Sequence, residues 1–214
     1  MDKYIDIVIY GGTGQAKVIH AILSSQELTN VFAIIDDTPG LESPIKGVPI
    51  YCGLDEYEKV HKPTNFVVAI GNPNGEVRET LSKKLINRGY TQKDVVSVIS
   101  NIQPHTKIGT GVQIHPGVII MTYTTIGNNC IINTRAVVEH DCTLGDNVEI
   151  GPNATVAGEV TIGRNTWIGA GATVLDKLNI GKNVIVGAGA VVTKHIPDNT
   201  IVVGNPAKFL RVNE

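Results

Sequence analysis

The chain has 214 residues, a formal net charge of −2, 42% hydrophobic and 18% charged residues, and no apolar run near the roughly 20 residues that span a bilayer. So small a charge excludes general attraction to nucleic acid or to an anionic membrane. Glycine is frequent, at 23 residues, and aromatics reach only 5%, so any core must be thin and built from small and β-branched side chains.

Ile5 to Tyr10 is a short apolar run that reads as a strand and ends in Gly11-Gly12-Thr13-Gly14. Val18, Ile19, Ile22 and Leu23 then fall on one face of a helix. Val31 to Ile35 reads as a second strand stopping at Asp36-Asp37, and Phe66 to Ile70 as a third, ended by Gly71-Asn72-Pro73-Asn74-Gly75. Glu76 to Arg88 suits a helix closed by Gly89. This alternation predicts a small parallel sheet with helices packed on it, a Rossmann-like α/β unit over residues 1–98.

From Ile102 onward one rule holds. Every sixth residue through Val192 is Ile, Val or Leu, sixteen positions in sixteen, and the next residue is glycine at eight of them. The fourth residue after each aliphatic is small or apolar, as at Cys130, Ala136, Cys142 and Ala154. A period of six fits neither an α-helix nor a strand pair. It fits a solenoid with one short strand and one corner per hexad and three sides to a coil. Residues 18 apart then stand directly above one another, with the aliphatic side chains in a narrow interior. The change of period sets a boundary near 98–103, with a solenoid over 99–196 and a tail over 197–214. Solenoid ends need covers; the α/β unit is expected over the first coil and the tail over or beside the last.

The charges of the solenoid separate along the chain. Glu139, Asp141, Asp146, Glu149 and Glu159 lie in a stretch without Lys or Arg, whereas residues 164–211 hold Arg164, Lys177, Lys182, Lys194, Lys208 and Arg211 against Asp176 and Asp198. This is either solvated surface charge or a pair of adjacent sites wanting opposite charge. Cys52, Cys130 and Cys142 form no CxxC pair and no metal-ligand spacing. An odd count without a signal peptide points to the reducing cytoplasm.

The uninterrupted hexads, with Gly204-Asn205-Pro206-Ala207-Lys208 after the last coil, resemble the hexapeptide-repeat acyltransferases, whose solenoid is a left-handed parallel β-helix. The Gly-rich α/β unit ahead of it is similar to a subgroup of sialic acid O-acetyltransferases and nucleotide-sugar N-acetyltransferases, including the enzymes of bacillosamine and perosamine biosynthesis. The strongest local match runs from Asn133 to Cys142, through Glu139-His140-Asp141. The resemblance implies a homotrimer with acetyl-CoA in the groove between adjacent helices. It implies a general base at His140 followed by an acidic residue, a contact of Gly158 with the acetyl end of the cofactor, and Asn133 near the acceptor sugar. It also implies that the N-terminal unit binds a nucleotide-sugar. Two positions depart from the family: Glu149 stands where a second His often helps form the acetyl-CoA end of the site, and Gln15 stands near a frequent His.

The residues themselves support parts of this. Acetyl transfer from a thioester needs a base for the nucleophile's proton, a donor for the developing oxyanion and a holder for CoA. Of His20, His61, His105, His115, His140 and His195, His140 stands out for its acidic neighbours, and an imidazole pKa of about 6.5 leaves a usable neutral fraction. Asp141 or Glu139 can orient the ring, although neighbours in a strand point to opposite faces; the resemblance favours Asp141. Gly158, 18 residues on, is expected one coil away on the same face, its N–H open to a thioester carbonyl. Lys208 and Arg211, with Lys182 and Lys194 behind them, suit the CoA phosphates. Gly11, Gly12, Gly14 and Gln15 form a Gly-rich turn at a helix N-terminus that can hold a phosphate, although a dinucleotide frame starting at Gly12 ends on Lys17. Asp36 and Asp37 can hydrogen-bond a ribose or a base.

The expectation is therefore an acetyl-CoA-dependent N-acetyltransferase acting on the 4-amino group of a nucleotide-linked amino-dideoxy sugar, by direct attack, with Cys142 in the core and no metal. Three rivals stand beside it. Sialic acid O-acetylation is disfavoured by carboxylates around the base; a metalloenzyme of the carbonic anhydrase kind needs three suitably spaced His; and a non-catalytic solenoid would act as a scaffold.

Overall fold

In the computed structural model, residues 5–26, 29–71 and 73–214 are described; Asn72, in the turn expected at 71–75, lies outside them. Strand β1 (Ile5–Tyr10) is flanked by β2 (Thr29–Asp36) and β4 (Asn65–Val68), with β3 (Ile50–Cys52) and β5 (Thr91–Gln92) outermost, all parallel. Alternation along β1 sends Ile7 and Ile9 to one face of the sheet and Val8 and Tyr10 to the other. The first face packs against Ala16, Ile19, Ile22 and Leu23 of helix α1 (Gly14–Ser24). The second packs against Leu54 and Tyr57 of α2 (Leu54–Tyr57) and Leu85 of α3 (Gly75–Asn87). This is the Rossmann-like unit expected. Val18 departs from its assignment: it is 37% exposed, because the buried face of α1 centres on Ala16 and Ile19.

The solenoid is a left-handed parallel β-helix. Strand pairing begins at β6 (Val95–Val96), which pairs with Gln113–Ile114. Sixteen two-residue strands follow, one per hexad, from β7 (Asn101–Ile102) to β22 (Val191–Val192). They form three faces, and on each face pairing steps by 18 residues, as in the column Ile120, Val138, Val156, Val174, Val192. From Ile114 to Val192 every hexad aliphatic is at most 2% exposed, each burial contributing about 1.5–3 kcal/mol before chain entropy. The third residue after each aliphatic has positive φ from His105 to Gly189. That left-handed residue turns the corner, and glycine or asparagine adopts it most easily.

The ends differ from expectation. Ile108, in the first coil, is 37% exposed, because the α/β unit does not sit over that coil. It lies along the first face of the helix, which carries Gln113 and Glu149, and along the two edges bounding that face. At the far end the register changes. β23 (Thr200–Val203) pairs Ile201 with Ile185, a step of 16, and β24 (Lys208–Val212) folds back antiparallel on it. The tail thus extends one face instead of only covering the coil.

Arg78 of α3, 1% exposed, bolts the two units together. Its Nε donates to Asn129 O at 3.1 Å, Nη2 to Asn147 O at 2.9 Å and Nη1 to Ile70 O at 3.1 Å. Nη1 also meets Glu149 Oε2 at 3.3 Å. A guanidinium presents five donors in a rigid fork, so one side chain can satisfy carbonyls of both units at once. Arg78→Met deprives buried Glu149 of this cation and three carbonyls of a donor. It is expected to destabilise by about 3–5 kcal/mol, read as a fall in the urea midpoint, with Arg78→Met/Glu149→Leu recovering part of the loss.

Candidate active site

His140 stands on the edge where the chain turns from the second face of the helix, at Val137–Val138, to the third, at Thr143–Leu144. The concern that His140 and its neighbour diverge does not apply, because they occupy a corner and not a strand. Asp141 takes φ 58° and its carboxylate Oδ2 comes within 2.9 Å of His140 Nδ1. The hydrogen bond to Asp141 raises the imidazole pKa above its ordinary value, outweighing slight desolvation, and the charges of Asp141, Glu139 and Glu159 add to it. Of the five acidic residues at 139–159, only these three belong to the edge. Asp146 accepts the Asn128 N–H at 2.7 Å on another edge, and Glu149 lies at the domain seam.

Gly158 stands one coil beyond His140, tied through the Glu159 N–H to His140 O at 2.9 Å. A Cβ on Gly158 would lie 2.7 Å from His140 Nε2, so only glycine leaves room for the ring there. Its N–H donates to no group among the described residues. Cys142 is 1% exposed with Sγ directed at Ala157 O at 3.1 Å, and burial pushes its thiol pKa up to about 11; it belongs to the core. Sequence reasoning missed His105 and Tyr123, which stack on this edge at 4.9 Å between ring centroids. Their signal was present, since both are third-corner residues 18 apart.

A second feature lies in the α/β unit. A cavity of about 510 Å³ opens above the Gly-rich turn, lined by Gly11, Gly14, Gln15 and Asp36 and closed by Ala69 to Gly71. Gly11 has φ 112°, and a Cβ there would meet Ala69 O at 2.6 Å. Gly12 does not line the cavity; its N–H donates to Asp36 Oδ2 at 2.6 Å. Burial alone would raise the Asp36 carboxyl, but hydrogen bonds from Gly12 and Thr38 outweigh it and hold it below the usual range. Asp36 is therefore an ionised acceptor facing the cavity. Asp37 turns away, accepting the Tyr10 hydroxyl at 2.9 Å on the other side of the sheet.

Behind the cavity, side chains of the first helical face approach it. Gln15 Nε2 donates to Gln113 Oε1 at 2.9 Å and lies 3.4 Å from His115 Nε2. Asn133 Nδ2 reaches Glu149 Oε1 at 3.2 Å and Ile150 O at 3.0 Å. Glu149, 4% exposed, is thus held by Arg78 and Asn133. His115 was one histidine among six in the sequence, and only folding reveals that it is buried beside Gln15.

The basic residues gather at the far end. Lys194 follows His140, Gly158 and Asp176 at 18-residue steps along the same edge, about 14 Å from His140 at the usual strand spacing. Lys208 and Arg211 project exposed from β24, whereas Lys182 pairs with Asp198 at 3.7 Å. No three His, Cys, Asp or Glu side chains among the described residues converge as a metal cage would require. Among the described residues, none of the hydrogen bonds between the two units reaches the His140 edge. In one chain the cavity belongs to the unit on the first face, whereas the imidazole stands on the edge between the other two faces.

The Asp141 contact makes a direct prediction. In an NMR pH titration, the His140 ring should titrate above the ordinary value of about 6.5. Asp141→Asn should bring it down, because the hydrogen bond and charge of the paired carboxylate are lost.

Comparisons with known proteins bear on the whole chain. The family model described as bacterial transferase hexapeptide (six repeats) matches residues 123–158 and 159–194, and that described as PglD N-terminal domain matches residues 6–85. No curated protein sequence matches. Among solved structures, a histidine variant of GDP-perosamine N-acetyltransferase from Caulobacter crescentus, in complex with CoA and GDP-perosamine, is 34% identical over 96% of this chain and 97% of that one, with a TM-score of 0.87. WeeI from Acinetobacter baumannii is 33% identical over 96% and 100%, with a TM-score of 0.87. The acetyltransferase domain of PglB from Neisseria gonorrhoeae, in complex with acetyl coenzyme A, is 26% identical over 97% and 100%, with a TM-score of 0.86. The chain belongs to the hexapeptide-repeat sugar acetyltransferases that carry a PglD-type N-terminal domain.

Proposed function

We propose that the chain is an acetyl-CoA-dependent N-acetyltransferase of the 4-amino group of a nucleotide-linked amino-dideoxy sugar. One observation carries the reading. The exposed His140 imidazole is oriented by Asp141 through Nδ1, while Nε2 lies against the backbone of Gly158. A base and an oxyanion donor thus face one point on the edge. The GDP-perosamine and CoA bound by a relative of 34% identity supply the substrate class.

The sugar amine attacks the thioester carbonyl, and neutral His140 Nε2 takes the amine's proton. The Gly158 N–H stabilises the oxyanion; collapse forms the amide and expels the CoA thiolate, to which the imidazolium returns the proton. No acyl-enzyme is required, and buried Cys142 is not a nucleophile. Asp36 and the Gly11 to Gly14 turn hold the nucleotide part, with Gln15 and Asn133 near the sugar. Glu149 braces Asn133 and Arg78 instead of contacting the cofactor. Lys194, Lys208 and Arg211 serve the CoA phosphates.

The imidazole and the cavity lie on different sides of the solenoid in one chain, so the reaction centre is completed between copies of a homotrimer, with CoA in the groove between adjacent helices. Three free cysteines, one of them exposed, fit a reducing cytoplasm. Glu139, Asp141 and Glu159 around the base oppose an anionic sugar, which favours the amine over sialic acid O-acetylation.

The test is acetyl-CoA consumption with UDP-, GDP- and dTDP-linked 4-amino sugars. One of them should be acetylated at nitrogen, and His140→Ala should lower kcat by about 10²–10⁴-fold. Gly158→Ala, whose methyl displaces the ring, should lose activity comparably without loss of fold. The acid limb of kcat/KM should lie above pH 6.5, about where free imidazole titrates, because the base must be neutral and Asp141 holds its proton on. Asp141→Asn should move that limb to lower pH. Response only to free sialic acid would reverse the assignment.

A further inference from the structure

Behind the Gly-rich cavity runs a chain of hydrogen bonds whose direction is set at one end. Val68 O, a backbone carbonyl, only accepts, so the Gln113 amide nitrogen must face it, at 2.7 Å. Gln113 Oε1 is then turned toward Gln15, whose Nε2 donates to it at 2.9 Å. The same Nε2 stands 3.4 Å from His115 Nε2. A donor facing that nitrogen requires His115 to be neutral, with its proton on Nδ1. Burial keeps it so, pushing the imidazole pKa down to about 4, and Gln113 and His115 are each 2% exposed. The Gln15 amide nitrogen is thus engaged on the helix side. Its Oε1, which meets no donor among the described residues, is left for the cavity that Gln15 lines.

We propose that Gln113 and His115 are positioning residues that hold Gln15 with its carbonyl oxygen presented to the acceptor, where it accepts a hydrogen bond from an N–H or O–H of the sugar. The proposal rests on reading the cavity as the acceptor site. It makes Gln15 a specificity residue that selects a donor at that point of the sugar and rejects a carbonyl or carboxylate, which would meet another lone pair.

The experiment is steady-state kinetics with whichever of the UDP-, GDP- and dTDP-linked 4-amino sugars the wild-type chain acetylates fastest. Gln15→Met and His115→Phe should each raise the acceptor KM about tenfold, the equivalent of one lost hydrogen bond, with the KM for acetyl-CoA unchanged. The double variant should be no worse than Gln15→Met, since both changes remove the same contact. Gln15→His should restore most of the affinity, because a neutral imidazole can donate to Gln113 from one nitrogen and accept from the sugar with the other. Gln15 is only half-buried, so its variants carry the test should His115→Phe fail to fold. An unmoved acceptor KM in an active enzyme overturns the proposal alone, as do additive effects in the double variant or a parallel rise in the KM of both substrates. A wild-type chain that acetylates none of the three sugars overturns the reading of the cavity, and this proposal with it.

Discussion

Backbone pairing between coils, repeated at 18-residue steps from Val95 to Val192, determines where every functional group of the solenoid stands. Each coil is only three short strands and three corners, so its interior admits one aliphatic and one small residue per hexad, and rings have no place in it. The corners are where the chemistry is free to vary. A left-handed residue at each one turns the chain and lets neighbouring side chains converge, as His140 and Asp141 do. The 18-residue step then brings Gly158 over the imidazole. An imidazole with its orienting carboxylate and an open N–H thus arise from one corner and the corner above it, with no loop insertion.

The α/β unit is placed by a different interaction. On the first face, outward-pointing Ile131 is fully buried between Gln113 and Glu149, and around it the seam is polar. Arg78 reaches carbonyls of two coils and the carboxylate of Glu149, while Gln15, Gln113 and His115 link the cavity wall to the first face. Buried polar groups at such a seam fix one relative position, since any other leaves donors and acceptors unmatched. The cost is that the unit lies along the helix and leaves Ile108 exposed at the first coil. Its cavity lies on the first face and the imidazole on the edge between the other two, which is why the proposed mechanism calls on a second copy.

Much of this was legible in the residues. The hexads announced the solenoid because a narrow interior tolerates no exception, and the 18-residue step located Gly158 beside His140 before any coordinate. The corner conformation was also written there: glycine or asparagine holds nine of the fifteen left-handed positions from His105 to Gly189, a pattern that places Asp141 at a corner and not in a strand. Other features were not readable. Glu149 and Arg78 are 71 residues apart, and nothing local to either marks a buried pair. Asp36 and Asp37 look equivalent in sequence; only the pleat decides that one faces the cavity and the other Tyr10. The change from an 18- to a 16-residue step after Val192 falls where the hexad signal has ended, so no pattern was left to reveal it.

The central claim is that base and acceptor cavity meet between copies of the chain, and mixing two inactive variants tests it most directly. His140→Ala removes the base. Gly14→Glu puts a carboxylate into the cavity at a position where a Cβ meets nothing within 4 Å, so the chain should fold yet repel the nucleotide phosphates. Co-refolded in equal amounts, the two should regain about a quarter of wild-type activity, the fraction of contacts in a randomly mixed cyclic assembly that join an intact cavity to an intact base. A mixture as inactive as its components, in assemblies shown by mass to contain both chains, would contradict the account and return the whole reaction to a single chain.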